Sequence, residues 1–374
     1  MRKQIKANPF ILVILSDVNS SPQLIAILKE IRRRGADIRV ILIGSKESRI
    51  LSEIELMGIK VTNMRSREKF RSAPLFVSIF WYILSLRPLT VFASGQFATT
   101  IGMFCSKLLH VDRRIFIRHY SNFHIKYNMK LGKLLDRASN FLATDIVAVS
   151  LLTQKVLTVD EGADPRKIHI IYNGIDLEQF QQPATSDIDS PVESSNKQKV
   201  FRIGVISRLI ELKGVEYIAQ AFVRLHKEFP HTQIHIIGVF SDSHASVLKI
   251  LSSTDDSAYV LEESNNSIHN FLWGLDVFVH TPTGPEDESF GLVYIEALAA
   301  KVPCIFTVSG ILNEFPGVSS YATIVPYRQS DEIYNALSAQ IKGTSVTRSN
   351  VPEALLDQFS LTLMASKYSD LILG

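Results

Sequence analysis

Glycine is missing from the places where the common nucleotide-binding loops would need it. The 374-residue chain has 18 glycines, and no two lie closer than seven positions apart. A G-x-G-x-x-G loop needs glycines two apart and a G-x-x-x-x-G-K loop needs them five apart, so neither the dinucleotide fingerprint nor the P-loop is present. The same spacing excludes a G-x-S-x-G nucleophile elbow. Cysteine is equally sparse. Cys105 and Cys304 each sit in an apolar segment, MFCSKLL and KVPCIF. Two such cysteines, expected in different domains, exclude a disulfide framework and fit a reducing cytoplasm. No group of Cys and His has the spacing of zinc ligands. Long hydrophobic runs are also lacking. The longest candidate, APLFVSIFWYILSL at 73–86, falls short of the ~20 residues of a membrane helix. The basic start followed by FILVIL has too short an apolar run for a signal peptide, and no small-residue cleavage site follows it. That run reads instead as a buried strand.

What is present is a chain too long for one core, which predicts two domains. Charge is uneven along it. Residues 1–180 carry 27 Lys and Arg against 15 Asp and Glu, a surplus of 12; residues 181–374 carry 13 against 22, a deficit of 9. A basic half suits an anionic neighbour such as a membrane surface, an anionic lipid or nucleic acid, and equally a solvated face.

In the first half, apolar runs alternate with helical patterns. FILVILS (10–16), IRVILIG (38–44), TVFAS, RIFIRHY, DIVAVS and KIHIIYNG read as strands, separated by helical stretches that include 96–110, 128–142 and 150–159. Strands apolar on both faces and alternating with helices predict a covered parallel sheet. A polar stretch, QQPATSDIDSPVESSNKQK, reads as a linker. The pattern then restarts with FRIGVIS, QIHIIGV, AYVLE, DVFVHT and PCIFTV. The expected architecture is two α/β domains in tandem facing a cleft, with functional residues just after strands.

Three stretches satisfy that expectation. In GVISRLIELKG, Arg208 follows a strand and Lys213 precedes a helix. Two cations beside free helix N–H groups suit a diphosphate, although two solvated surface cations would look the same. In GPEDESFGLVYIEALAA, Gly291 stands at a helix start and Glu296 lies one turn further in, among apolar residues. A lone carboxylate there needs partners. A vicinal diol supplies two donors, and so would a neighbouring Lys or Arg. Glu288, in the loop ahead, is placed to reach the hydroxyls of another ring, unless it belongs to a solvated acidic turn with Glu286 and Asp287. In IFIRHYSNFH, His119 directly follows a strand and is suited to hydrogen-bonding or proton transfer, with Arg118 and His124 as rivals.

Together these residues resemble the retaining glycosyltransferases of family 4, which have the GT-B fold. Glu288, seven residues and then Glu296, with SFG after the first Glu, resemble that family's E-x7-E signature. SRLIELKG resembles its phosphate-binding segment, DIVAVS…KIHIIYNGIDLEQF the close of its first domain, and DVFVHTPTGPEDESFG its strand-then-loop order. FSLTLMASKYSDLIL resembles its last helix, which crosses back onto the N-terminal domain. The likeness covers nearly the whole chain, most clearly from 143 onward.

The resemblance implies two Rossmann-like parallel-sheet domains facing a central cleft. The N-terminal acceptor-binding domain would span 1–178 with 355–374 returning to it, the donor-binding domain 200–354, and a polar linker 179–199. It also implies roles. Arg208 and Lys213 would bind the donor diphosphate and stabilise the leaving group, and Glu296 would hold the ribose. Glu288, with Ser289, Phe290, Gly291 and Leu292, would contact the donor sugar, while His119 would sit near the transferred sugar on the acceptor side. By the same resemblance His119, Glu288, Arg208 and Lys213 would be the catalytic set, with no cofactor and no metal. The expected partners are a nucleotide-sugar donor, a saccharide or lipid-linked acceptor and an anionic membrane surface, but not nucleic acid. The resemblance thus implies a cytoplasmic or inner-face peripheral hexosyltransferase, expected in bacterial surface-polysaccharide synthesis. Two features depart from the family. SDVNSSPQL lacks its glycine pair, and VSGILNEF has one glycine where two are frequent. A sugar-nucleotide epimerase of the same fold and a non-catalytic carbohydrate- or nucleic-acid-binding protein are the alternatives.

Overall fold

The computed structural model describes residues 10–16, 18–44, 48–64, 73–120, 129–181, 200–241, 243–265, 267–315, 317–345 and 351–374. His124, Asp17 of the first loop, the basic start and residues 182–199 of the expected linker lie outside them. The chain divides into two units, Met1–Ile175 with Gln358–Gly374, and Asp176–Asp357.

The first unit is built on a seven-stranded parallel sheet. Its strands are β1 (Phe10–Ser16), β2 (Asp37–Ile43), β3 (Lys60–Met64), β4 (Thr90–Ser94), β5 (Arg113–Arg118), β6 (Asp145–Ala148) and β7 (Ile168–Ile170), in the order β3-β2-β1-β4-β5-β6-β7. β1 is central, with Ile11 opposite Ile38 of β2 and Thr90 of β4. Its residues Ile11 to Leu15 are wholly buried, because helices cover both faces of the sheet. Those helices are α1 (Pro22–Arg33), α2 (Arg49–Leu56), α3 (Ala73–Leu86), α4 (Gln96–Leu108), α5 (Lys130–Leu142) and α6 (Leu151–Lys155), the last continuing as a π-turn over Val156–Asp160. β3, sequence KVTNM, carries no apolar run to announce it. It is an edge strand paired only with β2, so one side needs no apolar cover. No helix among the described residues is long and apolar enough to cross a membrane.

The second unit begins with α7 (Leu177–Phe180) and carries a six-stranded parallel sheet. β8 (Phe201–Ile206), β9 (Thr232–Ile237), β10 (Tyr259–Glu262), β11 (Val277–His280), β12 (Cys304–Phe306) and β13 (Thr323–Ile324) lie in the order β10-β9-β8-β11-β12-β13. Its helices are α8 (Val215–Glu228), α9 (His244–Leu251), α10 (Ile268–Trp273), α11 (Leu292–Ala299), α12 (Ser330–Ile341) and α13 (Glu353–Asp357). α8 turns Val215, Ile218, Ala219, Phe222 and Leu225 onto the sheet, an i, i+3, i+4 stripe. Burying each large member stabilises by about 1.5–3 kcal/mol.

The chain ends in α14 (Leu361–Leu373), which belongs to the first unit, as the family resemblance implies. Ser360 caps it by accepting from the Leu363 N–H at 3.2 Å. Met364, Ala365, Tyr368 and Ile372 are buried, and the helix packs along α1. Arg34, just past α1, pairs with Asp370 and donates to the Ser366 hydroxyl at 2.8 Å. Cys105 is in the first unit and Cys304 in the second, both free and buried.

Candidate active site

In the second unit β8 lies between β9 and β11, so the chain leaves β8 to one side and later returns on the other. A parallel sheet opens a ligand crevice at such a switch point, outside the carboxyl ends of the strands. The residues singled out above gather there. Arg208 follows β8 and is exposed, and its guanidinium makes no hydrogen bond or ion pair among the described residues. A 3-10 turn, Glu211–Lys213, then leads into Gly214, which has φ +67°. A Cβ on Gly214 would stand 2.2 Å from the carbonyl oxygen of Thr281. That close approach presses the loop after β8 against the loop after β11, and Thr283 N–H donates to the Leu212 carbonyl at 3.0 Å.

The contact brings Lys213 to Glu288. Lys213 is buried, and its Nζ lies 2.5 Å from Glu288 Oε1 and 3.2 Å from the Asp287 carbonyl. His280, the last residue of β11, places Nε2 2.8 Å from the same Oε1. Burial alone would raise the Glu288 pKa. The His280 hydrogen bond and the Lys213 charge outweigh it and hold the carboxyl down at about 2. His280 is itself driven below its ordinary range by burial, against the pull of Glu288. A neutral His280 must donate from Nε2 to the carboxylate, which leaves Nδ1 as an acceptor with no partner among the described residues. Lys213 and His280 both engage Oε1.

The Glu288 loop is fastened from below. Glu288 N–H donates to the Ser309 hydroxyl at 3.1 Å, and Ser309 donates in turn to the Gly284 carbonyl at 2.8 Å. Ile311 N–H donates to the Phe290 carbonyl at 2.8 Å. Gly310 has φ +56°, and a Cβ there would fall 2.6 Å from that carbonyl oxygen and 2.8 Å from Glu288 Cβ. The single glycine of VSGILNEF therefore seats the loop that carries Glu288. Phe290 is buried, so its side chain is an anchor. Ser289 and Leu292 are half-buried. Gly291 caps α11 in the left-handed region (φ +85°, ψ +66°) with no side-chain cap on the first turn.

Glu296 lies in the second turn of α11, between the fully buried Ile295 and Ala297. Its side chain makes no hydrogen bond or ion pair among the described residues, so the alternative of a neighbouring Lys or Arg is not met. Burial of its surroundings pushes its pKa up to about 7. The residue itself is half-buried, not sealed, so the carboxyl group stays open on one side.

His119 belongs to the first unit. It follows β5, and its Nε2 is 3.3 Å from the hydroxyl of Ser94 at the end of β4. Its surroundings push its pKa down, to about 4. The side chain is exposed, and the lowered pKa favours the neutral ring at pH 7. Beside it is a pocket lined by Gly95, Gln96, Thr99 and Thr100 at the start of α4. Arg118 is no rival. It is buried and pairs with Asp136 at 3.0 Å and with Glu161, while Tyr120 spans the cluster by accepting from Arg118 at 2.8 Å and donating to Asp136.

Sequence reasoning missed His280 and Ser309. A histidine closing an otherwise apolar strand, VFVH, was the available signal for the first. A serine before a lone glycine was a weaker one for the second.

Two family models match the chain: Glycosyltransferase Family 4 over residues 23–179 and Glycosyl transferases group 1 over residues 187–344. An alpha-monoglucosyldiacylglycerol synthase of Acholeplasma laidlawii is 29% identical over 195 residues, 49% of this chain and 46% of that protein. A UDP-Gal:alpha-D-GlcNAc-diphosphoundecaprenol alpha-1,3-galactosyltransferase of Escherichia coli is 27% identical over 221 residues, 56% of this chain and 54% of that protein. The chain thus spans about half the length of these curated relatives. The crystal structure of Anabaena Alr3699/HepE in complex with UDP and glucose aligns with a TM-score of 0.78 at 19% identity, covering 97% of this chain and 99% of that one. That likeness shows the GT-B fold.

Proposed function

The chain belongs to glycosyltransferase family 4, and from that premise we propose that it is a retaining hexosyltransferase. It takes the sugar from a nucleoside-diphosphate donor and passes it to a saccharide or lipid-linked acceptor. The setting is bacterial surface-polysaccharide or glycolipid synthesis, in the cytoplasm at the inner face of a membrane. The observation that carries this reading is two carboxylates in opposite states at one sheet edge. Glu288 is ionised and held by Lys213 and His280; Glu296 is unpaired, with its pKa raised to about 7. A carboxylate left open and unpaired is suited to a vicinal diol, whose two hydroxyls supply the missing donors. That assigns Glu296 to the ribose and Glu288 to the transferred sugar.

Arg208 is the exposed cation for the diphosphate. As the glycosidic bond breaks, negative charge grows on the leaving diphosphate, and fixed positive groups at Arg208, Lys213 and the uncapped start of α11 lower that barrier. With those groups in place the reaction needs no metal, so EDTA is expected to leave turnover unchanged. His119, neutral and hydrogen-bonded to Ser94, serves on the acceptor side. Because the similar Anabaena structure holds UDP and glucose, UDP-glucose is the first donor to test. In a thermal-shift screen of uridine, guanosine and adenosine diphosphate sugars, one donor should raise the midpoint of the wild type and fail to do so for Glu296→Ala. An unchanged shift in the variant sinks the assignment. Conversion of the nucleotide sugar to its epimer without an acceptor would make the protein an epimerase instead.

A further inference from the structure

α5 is built inside out. Its buried positions are Gly132, Asp136, Ser139 and Asn140, which are small or polar. Its outward positions include Leu131, Leu134 and Phe141, which are 63%, 64% and 79% exposed. At 3.6 residues per turn these three fall within an arc of about 80°, one apolar stripe facing away from the core. Lys130 and Arg137, both exposed, and Lys133 run along one side of it.

The stripe continues onto neighbouring helices. α4 packs against both α5 and α3. It exposes Phe104 and Leu108 beside Lys107 at i, i+3, i+4 spacing, and α3 exposes Trp81 and Val77. Phe104 packs at a tilt against Phe76 of α3 with ring centroids 5.6 Å apart, so the two stripes join. The three helices hold four basic residues and one acid, Asp136, which is buried against Arg118. The result is an apolar patch with a tryptophan and a cationic margin, and with no carboxylate of these helices to oppose an anionic surface.

We propose that this face of α3, α4 and α5 docks on the headgroup region of an anionic lipid bilayer. Apolar side chains enter the interface while Lys107, Lys130, Lys133 and Arg137 meet lipid phosphates. Apolar burial beside a cationic face is the way an interfacial helix binds without spanning. The positive surplus of the first 180 residues complements such a surface. The inference gives the membrane part of the proposed function a definite surface, but it rests on exposure and charge, independently of any transfer chemistry.

The test is co-sedimentation of the full chain with vesicles of equal parts phosphatidylglycerol and phosphatidylcholine, and with phosphatidylcholine alone. Binding is expected to the anionic vesicles, weakened by high salt. Lys107→Gln with Lys130→Gln should lower it roughly 30-fold, at about fivefold per cation. Leu131→Ser with Leu134→Ser and Phe141→Ser should abolish it while leaving the thermal midpoint and the nucleotide-sugar shift unchanged, since these side chains contribute little to the core. Failure to bind vesicles, equal binding to neutral vesicles, or unimpaired binding by the triple variant overturns the proposal. So does a wild-type dimer that becomes monomeric in the triple variant, which would assign the face to a second copy. Vesicle binding without any donor shift would keep this proposal and discard the transferase reading.

Discussion

Replacing Glu296 by Gln should stabilise the empty protein while disabling it. The Glu296 pKa stands at about 7 in the folded chain, against 4.5 for an ordinary glutamate. The unfolded chain therefore releases this proton first. Stability contributed at this position falls as pH rises from about 4.5 to 7 and is level above that. At 1.36 kcal/mol per pKa unit, ionised Glu296 costs the folded state about 3 kcal/mol at pH 8 and under about 1 kcal/mol at pH 5. Gln has the same shape and no charge, so the advantage of the variant should grow by about 2 kcal/mol between those pH values. The open side of the carboxyl group makes this an upper value. For a unit of this size it corresponds to several degrees of melting temperature, at roughly 2–4 °C per kcal/mol. Urea unfolding of both proteins at pH 5 and pH 8 measures the difference directly. Donor affinity should move the opposite way, falling roughly tenfold or more at pH 8, because a carboxamide accepts from a diol less strongly than a carboxylate. Wild-type donor binding should strengthen as pH rises through 7, and the variant's should not. A stability gap that is equal at both pH values would refute the desolvated carboxylate, and a full-affinity variant would refute its role.

Three further outcomes follow from the geometry. His280→Leu removes one of the two groups holding Glu288 ionised, so the acid limb of the activity profile should move up from below pH 4 as the Glu288 pKa rises, with a roughly 10- to 100-fold loss of kcat; a pH–rate profile checks both. Gly214→Ala sets a methyl 2.2 Å from the Thr281 carbonyl at φ +67°, and should cost about 2 kcal/mol or more in chemical denaturation. Arg118→Met leaves Asp136 and Glu161 buried without their cation and should destabilise by about 3–5 kcal/mol, seen as a lowered melting temperature with the donor-induced shift unchanged.

Much of this was legible in the sequence because parallel strands covered on both faces must be continuously apolar. FILVILS and IRVILIG announce themselves. KVTNM does not, since it lies on an edge and answers to one neighbour only. The spacing of Glu288 and Glu296 pointed to a site, but their different states could not be read. Glu288 is held by Lys213, 75 positions earlier, and by His280, a residue that looks like the end of a strand. Their meeting depends on β11 lying beside β8, and strand order is not written in any local pattern. Glu296 looked like a sealed carboxylate because its sequence neighbours are buried, yet a helix turns each residue 100° from the last, and this one turns partly outward. Arg118 looked as available as His119, since nothing local discloses that Asp136 and Glu161 converge on it.

α14 sets the order in which the two units are completed on the ribosome. Domains commonly fold as units from the N-terminus while synthesis proceeds. Here the first unit lacks Met364, Tyr368 and Ile372 until α14 has been made, which comes after the whole of the second unit through Asp357. The unit begun first is completed after the unit begun second. Until then the apolar groove beside α1 is open, and it depends on the rest of the chain being made promptly or on a chaperone to cover it.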